Sequence, residues 1–202
     1  MFLVIPALAS VASGTDFFVS TIGSSVANGS IDDPWDLSTA FSHPAAVAPG
    51  DRIWIEGGTY PLAETLTSNL NGSDGLPIYV RAKPGERVTF DCAPAVAATP
   101  GSECLDLKGS HTWYWGLELT NTSTERSTVV SGGTPNLRGI GINSSAGPGT
   151  KLINMVVHDV GTSIFESQPS GLEIYGLIAY NSGWDAPDRS HGPGIYIRNR
   201  SG

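Results

Sequence analysis

Short runs of apolar residues, rich in β-branched and aromatic side chains, recur along the chain from residue 50 onward. Gly, Pro, Asn and Ser separate these runs, as expected of strands bounded by turns. No long helical period interrupts them, so the pattern predicts an all-β protein. The predicted strands cover residues 52–55, 76–80, 88–90, 104–107, 113–119, 139–142, 151–157, 171–179 and 194–198.

The strand pattern also repeats. Gly116 and Gly176 occupy equivalent places in two segments, as do Asn121 and Asn181. Met155 and Gly176 are 21 positions apart, a spacing that suits one turn of a solenoid. Each coil of a solenoid buries its inward side chains only by stacking on its neighbours. We therefore expect one stacked column of coils.

An aromatic run at Trp113, Tyr114 and Trp115 falls on one of these strands. Strand alternation sends one face of the run inward and the other outward. Outward rings can pack against sugars, whereas inward rings fill the core. The residue pattern leaves both uses open and favours core packing.

Composition narrows the class of protein further. The chain has 202 residues with 25 Gly and 14 Pro, and only 15% are charged, which excludes a helical bundle or coiled coil. Its net charge of −8 argues against a duplex nucleic-acid binder, which needs a basic surface. No later apolar run approaches the roughly 18–20 residues of a membrane span.

Two features indicate a secreted or cell-surface protein. Residues 1–13 resemble the end of a secretory signal peptide, although the positive n-region is missing, and an N-terminal strand or cap is the alternative. Residues 14–202 then form a single domain. Cys92 and Cys104 are the only cysteines, and we expect a disulfide between them, with buried free thiols as the alternative.

Five Asn-x-Ser/Thr triplets are candidate N-glycosylation sites in a glycosylating pathway. They begin at Asn28, Asn71, Asn121, Asn143 and Asn199.

The N-terminal segment carries a recognisable family pattern. Its elements are residues 17–20, Pro34 with Trp35, the turn at 49–51 and the Gly-Gly-Thr-Tyr segment at 57–60. They resemble the entry to the right-handed parallel β-helix of the pectate-lyase-like superfamily. The resemblance covers nearly all of residues 17–202. It implies a parallel β-helix (solenoid) with an N-terminal strand and a short capping helix over about residues 35–46.

The resemblance also implies a chemistry. Lyases on this fold cleave uronic-acid polymers by β-elimination, using a cation, often calcium, to acidify the C5 proton and a base to remove it. A polysaccharide partner and a calcium cofactor are therefore expected. The catalytic candidates are His191, Tyr196 and Arg198; the substrate-binding candidates are Trp184, Asp188 and Arg189; the metal-ligand candidates are Asp159, Glu166 and Asp185.

Other interpretations remain open at this stage. The Gly- and Pro-rich segment 183–194 also suits a loop in which polar side chains only fix the turn. The competing function is a non-catalytic structural or adhesive β-helix of a surface glycoprotein, fibre or filament. The sequence stops just after a predicted strand, so we expect either continuation into a longer chain or end-to-end self-association.

Overall fold

The protein folds as a stacked column in which each coil contributes one strand to each of three parallel sheets. The structure, a computed structural model, describes residues 14–132, 136–166 and 171–197. The elements in chain order are β1 (Asp16–Val19), α1 (Leu37–Phe41), β2 (Arg52–Ile55), β3 (Gly58–Pro61), β4 (Leu66–Ser68), β5 (Ile78–Ala82), β6 (Val88–Asp91), α2 (Ala93–Ala98), β7 (Glu103–Leu107), β8 (Thr112–Trp115), β9 (Leu117–Thr120), β10 (Ile140–Ser144), β11 (Lys151–Ile153), β12 (Val156–His158), β13 (Thr162–Glu166), β14 (Glu173–Tyr175), β15 (Ile178–Tyr180), β16 (Trp184–Asp185), β17 (Ser190–His191) and β18 (Ile195–Ile197).

Three sheets form the sides of the column. Sheet A has the order β1-β2-β5-β8-β11-β14, sheet B the order β3-β6-β9-β12-β15, and sheet C the order β4-β7-β10-β13-β18. In sheet A, Leu152 pairs with Ile174, so the true repeat here is 22 positions. The predicted 21-residue spacing from Met155 to Gly176 was one residue short, because Gly176 lies against Asn154 instead.

The core is a column of stacked apolar side chains. In sheet A the inward positions are Phe17, Ile53, Val80, Tyr114 and Leu152, all buried. Each such burial contributes about 1.5–3 kcal/mol, and no coil achieves it without its neighbours.

The aromatic run of β8 divides between the two faces of sheet A. Tyr114 points inward and its hydroxyl lies 2.5 Å from Ser68 Oγ. Trp113 and Trp115 point outward and are half-buried. Core packing therefore holds only for Tyr114.

A single residue turns the chain from sheet A into sheet B in three successive coils. Gly116, Asn154 and Gly176 occupy this corner with φ of 72°, 51° and 65°. That left-handed region suits Gly and Asn best. The predicted equivalence of Gly116 and Gly176 is confirmed, with Asn154 between them.

The capping helix is shorter than predicted. α1 spans only Leu37–Phe41 and begins after Asp36, whose side chain accepts a hydrogen bond from Thr39 N over 2.7 Å. The chain leaves the helix at His43, which has a φ of 68°. His43 also precedes Pro44, and proline disfavours a helical conformation in the residue before it.

The predicted disulfide is confirmed. Cys92 and Cys104 are bonded, and both side chains are buried. The bridge encloses α2, a helix that the sequence pattern did not predict. Among the described residues, no helix is long and apolar enough to cross a membrane.

Candidate functional site

Two long loops meet at the corner between sheets B and C. One joins β9 to β10, and the other joins β15 to β18 and contains the antiparallel pair β16 and β17. Thr128 N donates to Asp185 O over 2.8 Å, and Asp185 N donates to Arg126 O over 2.7 Å. These bonds hold the loops together around a cleft of about 720 Å³, which we call the corner cleft.

The corner cleft groups two arginines and a histidine in an acidic protein. Arg126, Arg189 and His191 lie in its lining beside a single carboxylate, that of Asp185. Asp185 Oδ1 accepts a hydrogen bond from Ser190 Oγ over 2.7 Å. The Arg189 side chain is 75% exposed, and its Nε is 3.9 Å from an Asp188 oxygen. Arg189 is therefore available to an anion brought by a ligand.

Arg126 is fixed at the wall between this cleft and sheet B. Its guanidinium pairs with Asp159, and its Nη1 donates to Asn181 O over 3.2 Å. Burial alone would raise the pKa of Asp159, but the hydrogen bond from His158 and the charge of Arg126 lower it overall. Arg126 lies 33 positions from Asp159, and sequence analysis did not identify it.

His191 is held by two neighbours. Its side chain is only 9% exposed, and its Nε2 lies 3.3 Å from Asp188 Oδ1. Burial alone would raise the pKa of Asp188, but hydrogen bonds from His191 and from Gly132 N lower it overall. When Nε2 donates to Asp188, Nδ1 carries the lone pair and can accept a proton.

Trp184, a predicted substrate-binding residue, does not offer an open ring face to a sugar. The residue is 8% exposed, and its ring stacks with His191 at a centroid distance of 5.4 Å. One indole face is thus covered by the imidazole. The geometry places Trp184 behind His191, where it restricts the orientation of the imidazole ring.

The three predicted metal ligands do not converge. Asp159 follows β12 in sheet B and pairs with Arg126. Glu166 ends β13 in sheet C, is 4% exposed, and faces the interior beside Ser144. Asp185 lies in the corner cleft. Within the part of the chain that the structure describes, no group of three or more His, Cys, Asp or Glu side chains is placed to hold a metal ion.

The remaining catalytic candidates lie elsewhere. Tyr196 points outward from sheet C and stacks on Phe165 at a centroid distance of 5.1 Å, outside the lining of the corner cleft. Arg198 lies outside the described residues.

A second polar cluster lies on the outer face of sheet B, in a cleft of about 610 Å³. Glu118 accepts hydrogen bonds from Arg87 Nε over 2.5 Å and from Thr89 Oγ1 over 2.6 Å, and His158 Nε2 lies 2.9 Å from its Oε1. The Arg87 guanidinium is the largest influence that lowers the pKa of Glu118 to about 2. The His158 ring also stacks on Tyr180.

Sequence analysis missed this cluster, although a signal was present. Once the corner residues Gly116 and Asn154 are aligned, the register puts Glu118 beside Val156 and Thr120 beside His158. Counting the strand register from these corner residues would have placed Glu118 and His158 on the same face of neighbouring strands.

A buried arginine shapes the loop that leads to Arg126. Arg138 is 1% exposed, and its guanidinium donates to the backbone oxygens of Asn121, Ser123, Glu125 and Asp159. Four carbonyl acceptors on one side chain hold the first turn of this loop against sheet B.

The candidate glycosylation sites have different surroundings. Asn28 and Asn71 are exposed, and Asn143 is half-buried. The prediction for Asn121 is wrong, because its side chain is 1% exposed and its Nδ2 donates to Arg138 O over 3.2 Å. A glycan has no access to that nitrogen. Asn199 lies outside the described residues.

Comparison with known proteins identifies the family. A model described as the Pel9A-like, right-handed β-helix region matches residues 17–188. The chain belongs to this Pel9A-like β-helix family. The predicted superfamily and the right-handed parallel β-helix are thereby confirmed.

The chain is also similar to curated proteins named as lyases. Over 122 residues the chain is 32% identical to pectate lyase L of Dickeya dadantii (strain 3937), covering 56% of this chain and 28% of that protein. The chain therefore spans little more than a quarter of the length of that curated relative.

Solved structures show the same fold. Pectate lyase Pel9A superposes with a TM-score of 0.55 at 21% identity, covering 84% of this chain and 48% of that one. A rhamnogalacturonan lyase superposes with a TM-score of 0.61 at 14% identity, covering 91% and 62%. Together with the family match, these neighbours show that the chain folds as a right-handed parallel β-helix.

Proposed function

We propose that this protein binds a uronic-acid polysaccharide in the corner cleft and cleaves it by β-elimination. The observation that carries the proposal is the grouping of Arg126, Arg189 and His191 in one cleft of a protein with a net charge of −8. Cationic side chains concentrated in a cleft attract anionic substrates. Membership of the Pel9A-like family supports the substrate class.

Each side chain has a role in this proposal. Arg189 pairs with the substrate carboxylate and stabilises the negative charge that develops there when the C5 proton leaves. Arg126 adds positive charge at the cleft wall. His191 accepts the C5 proton on Nδ1, and Asp188 stabilises the resulting imidazolium through Nε2. The C5–H electron pair forms the C4–C5 double bond, the bond from C4 to the glycosidic oxygen breaks, and that oxygen leaves with a proton from water.

The proposed cleavage does not depend on a bound calcium ion. The predicted ligands Asp159, Glu166 and Asp185 are dispersed, so the described residues do not fit a calcium site. No step of the proposed elimination uses the ion, because the arginines supply positive charge. The family resemblance nevertheless predicts a calcium requirement, so both conditions belong in the assay.

We also propose that the protein acts outside the cell. The disulfide between Cys92 and Cys104 supports this, since such bonds persist in oxidising compartments.

The test is incubation with polygalacturonate and with a neutral galactan, in calcium and in chelator. Unsaturated product is followed by ultraviolet absorbance. The expected result is unsaturated product from polygalacturonate and none from galactan. Absence of product from any uronate polymer under both conditions contradicts cleavage, and binding retained without turnover would favour the adhesive β-helix instead.

A further inference from the structure

The outer face of sheet A carries a row of aromatic and cationic side chains across four adjacent strands. Its strands lie side by side in the order β2, β5, β8, β11. We call this face the outer strip. Arg52, which pairs with Asp16, and Ile153 also lie on this face. The name refers to its other outward residues, which are Trp54, Tyr79, Arg81, Trp113, Trp115 and Lys151.

Arg81 occupies the centre of the outer strip. Its guanidinium carbon lies 4.3 Å from the centroid of the Trp115 ring and 5.1 Å from that of Trp54. The two indoles hold the guanidinium in place by cation–π attraction. Among the described residues, no carboxylate pairs with Arg81, and its Nε is buried without an acceptor. Within the described part of the chain, Arg81 thus presents a guanidinium that forms no salt bridge.

Lys151 forms a second cationic position two strands away. Its Nζ lies 4.8 Å from the centroid of the Trp113 ring and 5.5 Å from that of Tyr175. Glu173 lies 3.1 Å from the same nitrogen on the next strand. The Trp113 ring in turn meets Tyr79 edge to face at 5.3 Å. Both cations are therefore positioned by aromatic neighbours.

Charge and shape select one class of ligand. We infer that the outer strip is a second binding surface for an acidic polysaccharide, separate from the corner cleft. Arginine presents a planar fork that matches a carboxylate. Aromatic rings provide a surface for the C–H faces of sugars. The cationic positions are two strands apart, about 10 Å along the column, and a polyuronate chain carries a carboxylate on each sugar.

The location of the strip separates the two sites. The strip belongs to sheet A, whereas the corner cleft lies where sheet B passes to sheet C. A long polymer can contact both, so the strip would retain a chain while the cleft acts on it. The inference rests on the proposed function for its substrate class alone.

The experiment is affinity electrophoresis of the intact chain in gels that contain polygalacturonate or neutral galactan. The test variant combines Arg81→Gln with Lys151→Gln. Lys108→Gln is the matched control. Lys108 is 44% exposed and directly follows β7 of sheet C, away from the outer strip, where it pairs with Asp106. Lys151→Arg keeps the charge and serves as the conservative variant. Circular dichroism and a thermal melt establish that each variant is folded.

We expect retardation by polygalacturonate but not by galactan. The double variant should bind about tenfold more weakly than the wild type, while Lys108→Gln and Lys151→Arg bind as the wild type does. Equal retardation of the double variant and the control overturns the inference, as does equal retardation by galactan. If the double variant is unfolded, loss of binding in Lys151→Gln alone, with binding kept in Lys151→Arg, supports it, and unchanged binding in Lys151→Gln overturns it.

Failure of the proposed function gives a different pattern. A protein that forms no unsaturated product but loses retardation in the double variant contradicts cleavage and supports the outer strip. A protein that forms product but whose retardation is the same in every variant supports cleavage and contradicts the outer strip. Self-association that depends on the strip, measured by sedimentation without any polysaccharide binding, also overturns the inference.

Discussion

His158 Nε2 lies 2.9 Å from Glu118 Oε1, between neighbouring strands of sheet B. Arg87 and Thr89 donate to the same carboxylate, and Asp159 lies on the other side of the imidazole. An ionised Glu118 is thus a well-satisfied hydrogen-bond acceptor in a nearly buried position.

Glu118 should make stability depend on pH. Its pKa falls from 4.5 to about 2 in the folded protein, so its contribution is present above about pH 4.5 and is lost as the pH falls towards 2. We expect Glu118→Gln to lower the free energy of unfolding by about 1.5–3 kcal/mol near neutral pH. The loss should shrink below pH 4. Denaturant unfolding at several pH values measures both effects, and Glu64→Gln, at an exposed position, is the control.

The disulfide should contribute substantially to stability. Cys92 and Cys104 are 12 positions apart and enclose α2. Closing a loop of this length restricts the unfolded chain, so replacing both cysteines by serine should cost about 2–4 kcal/mol. Denaturant unfolding of the wild type with and without reductant, compared with the double variant, measures the loss. A double variant as stable as the oxidised wild type would contradict the prediction.

The corner between sheets A and B provides a test of backbone strain. Gly116 has a φ of 72°, and a Cβ there would meet only the Ala82 Cβ at 3.8 Å, an ordinary contact. Gly116→Ala should therefore cost about 1 kcal/mol from backbone conformation alone. Gly194→Ala, where a Cβ has open space, should change stability by less than about 0.5 kcal/mol. Equal effects in thermal unfolding would exclude strain as the cause.

The corner cleft predicts a split between kinetic parameters. His191→Ala should lower kcat on polygalacturonate by about 100-fold or more, since a positioned base contributes at least that much. Arg189→Gln should raise KM and also lower kcat, because Arg189 pairs with the substrate carboxylate and stabilises the charge that develops on it. Steady-state kinetics of both variants separate the roles. If Arg189→Gln lowers kcat and leaves KM unchanged, the assignment of ground-state binding to Arg189 is wrong.

The turn residues and the apolar alternation were enough to predict an all-β stacked column, and the family resemblance added the right-handed parallel β-helix. Alternation agrees with the outward orientation of Tyr196 in the structure. It did not show which face of β8 was inward, because Trp113, Tyr114 and Trp115 are all aromatic and the choice depends on neighbouring coils. Periodicity does not measure contacts between loops, so the link between Arg126 and Asp159 was missed. Glu166 was expected at a metal site because it lies one coil before the polar segment 185–191, yet the register carries it inward.

The 22-residue spacing between Leu152 and Ile174 bears on how such a column lengthens. One repeat of this length contains one strand of each sheet and the one-residue corner between sheets A and B. Duplicating a whole repeat would therefore keep every later side chain on its original face. An in-frame duplication of one unit would extend the column by about 4.8 Å. A unit that runs from Lys151 to Leu172 would also add one further lysine to the outer face of sheet A and one further histidine to that of sheet B. Column length and the number of ligand contacts would thus increase together by whole coils.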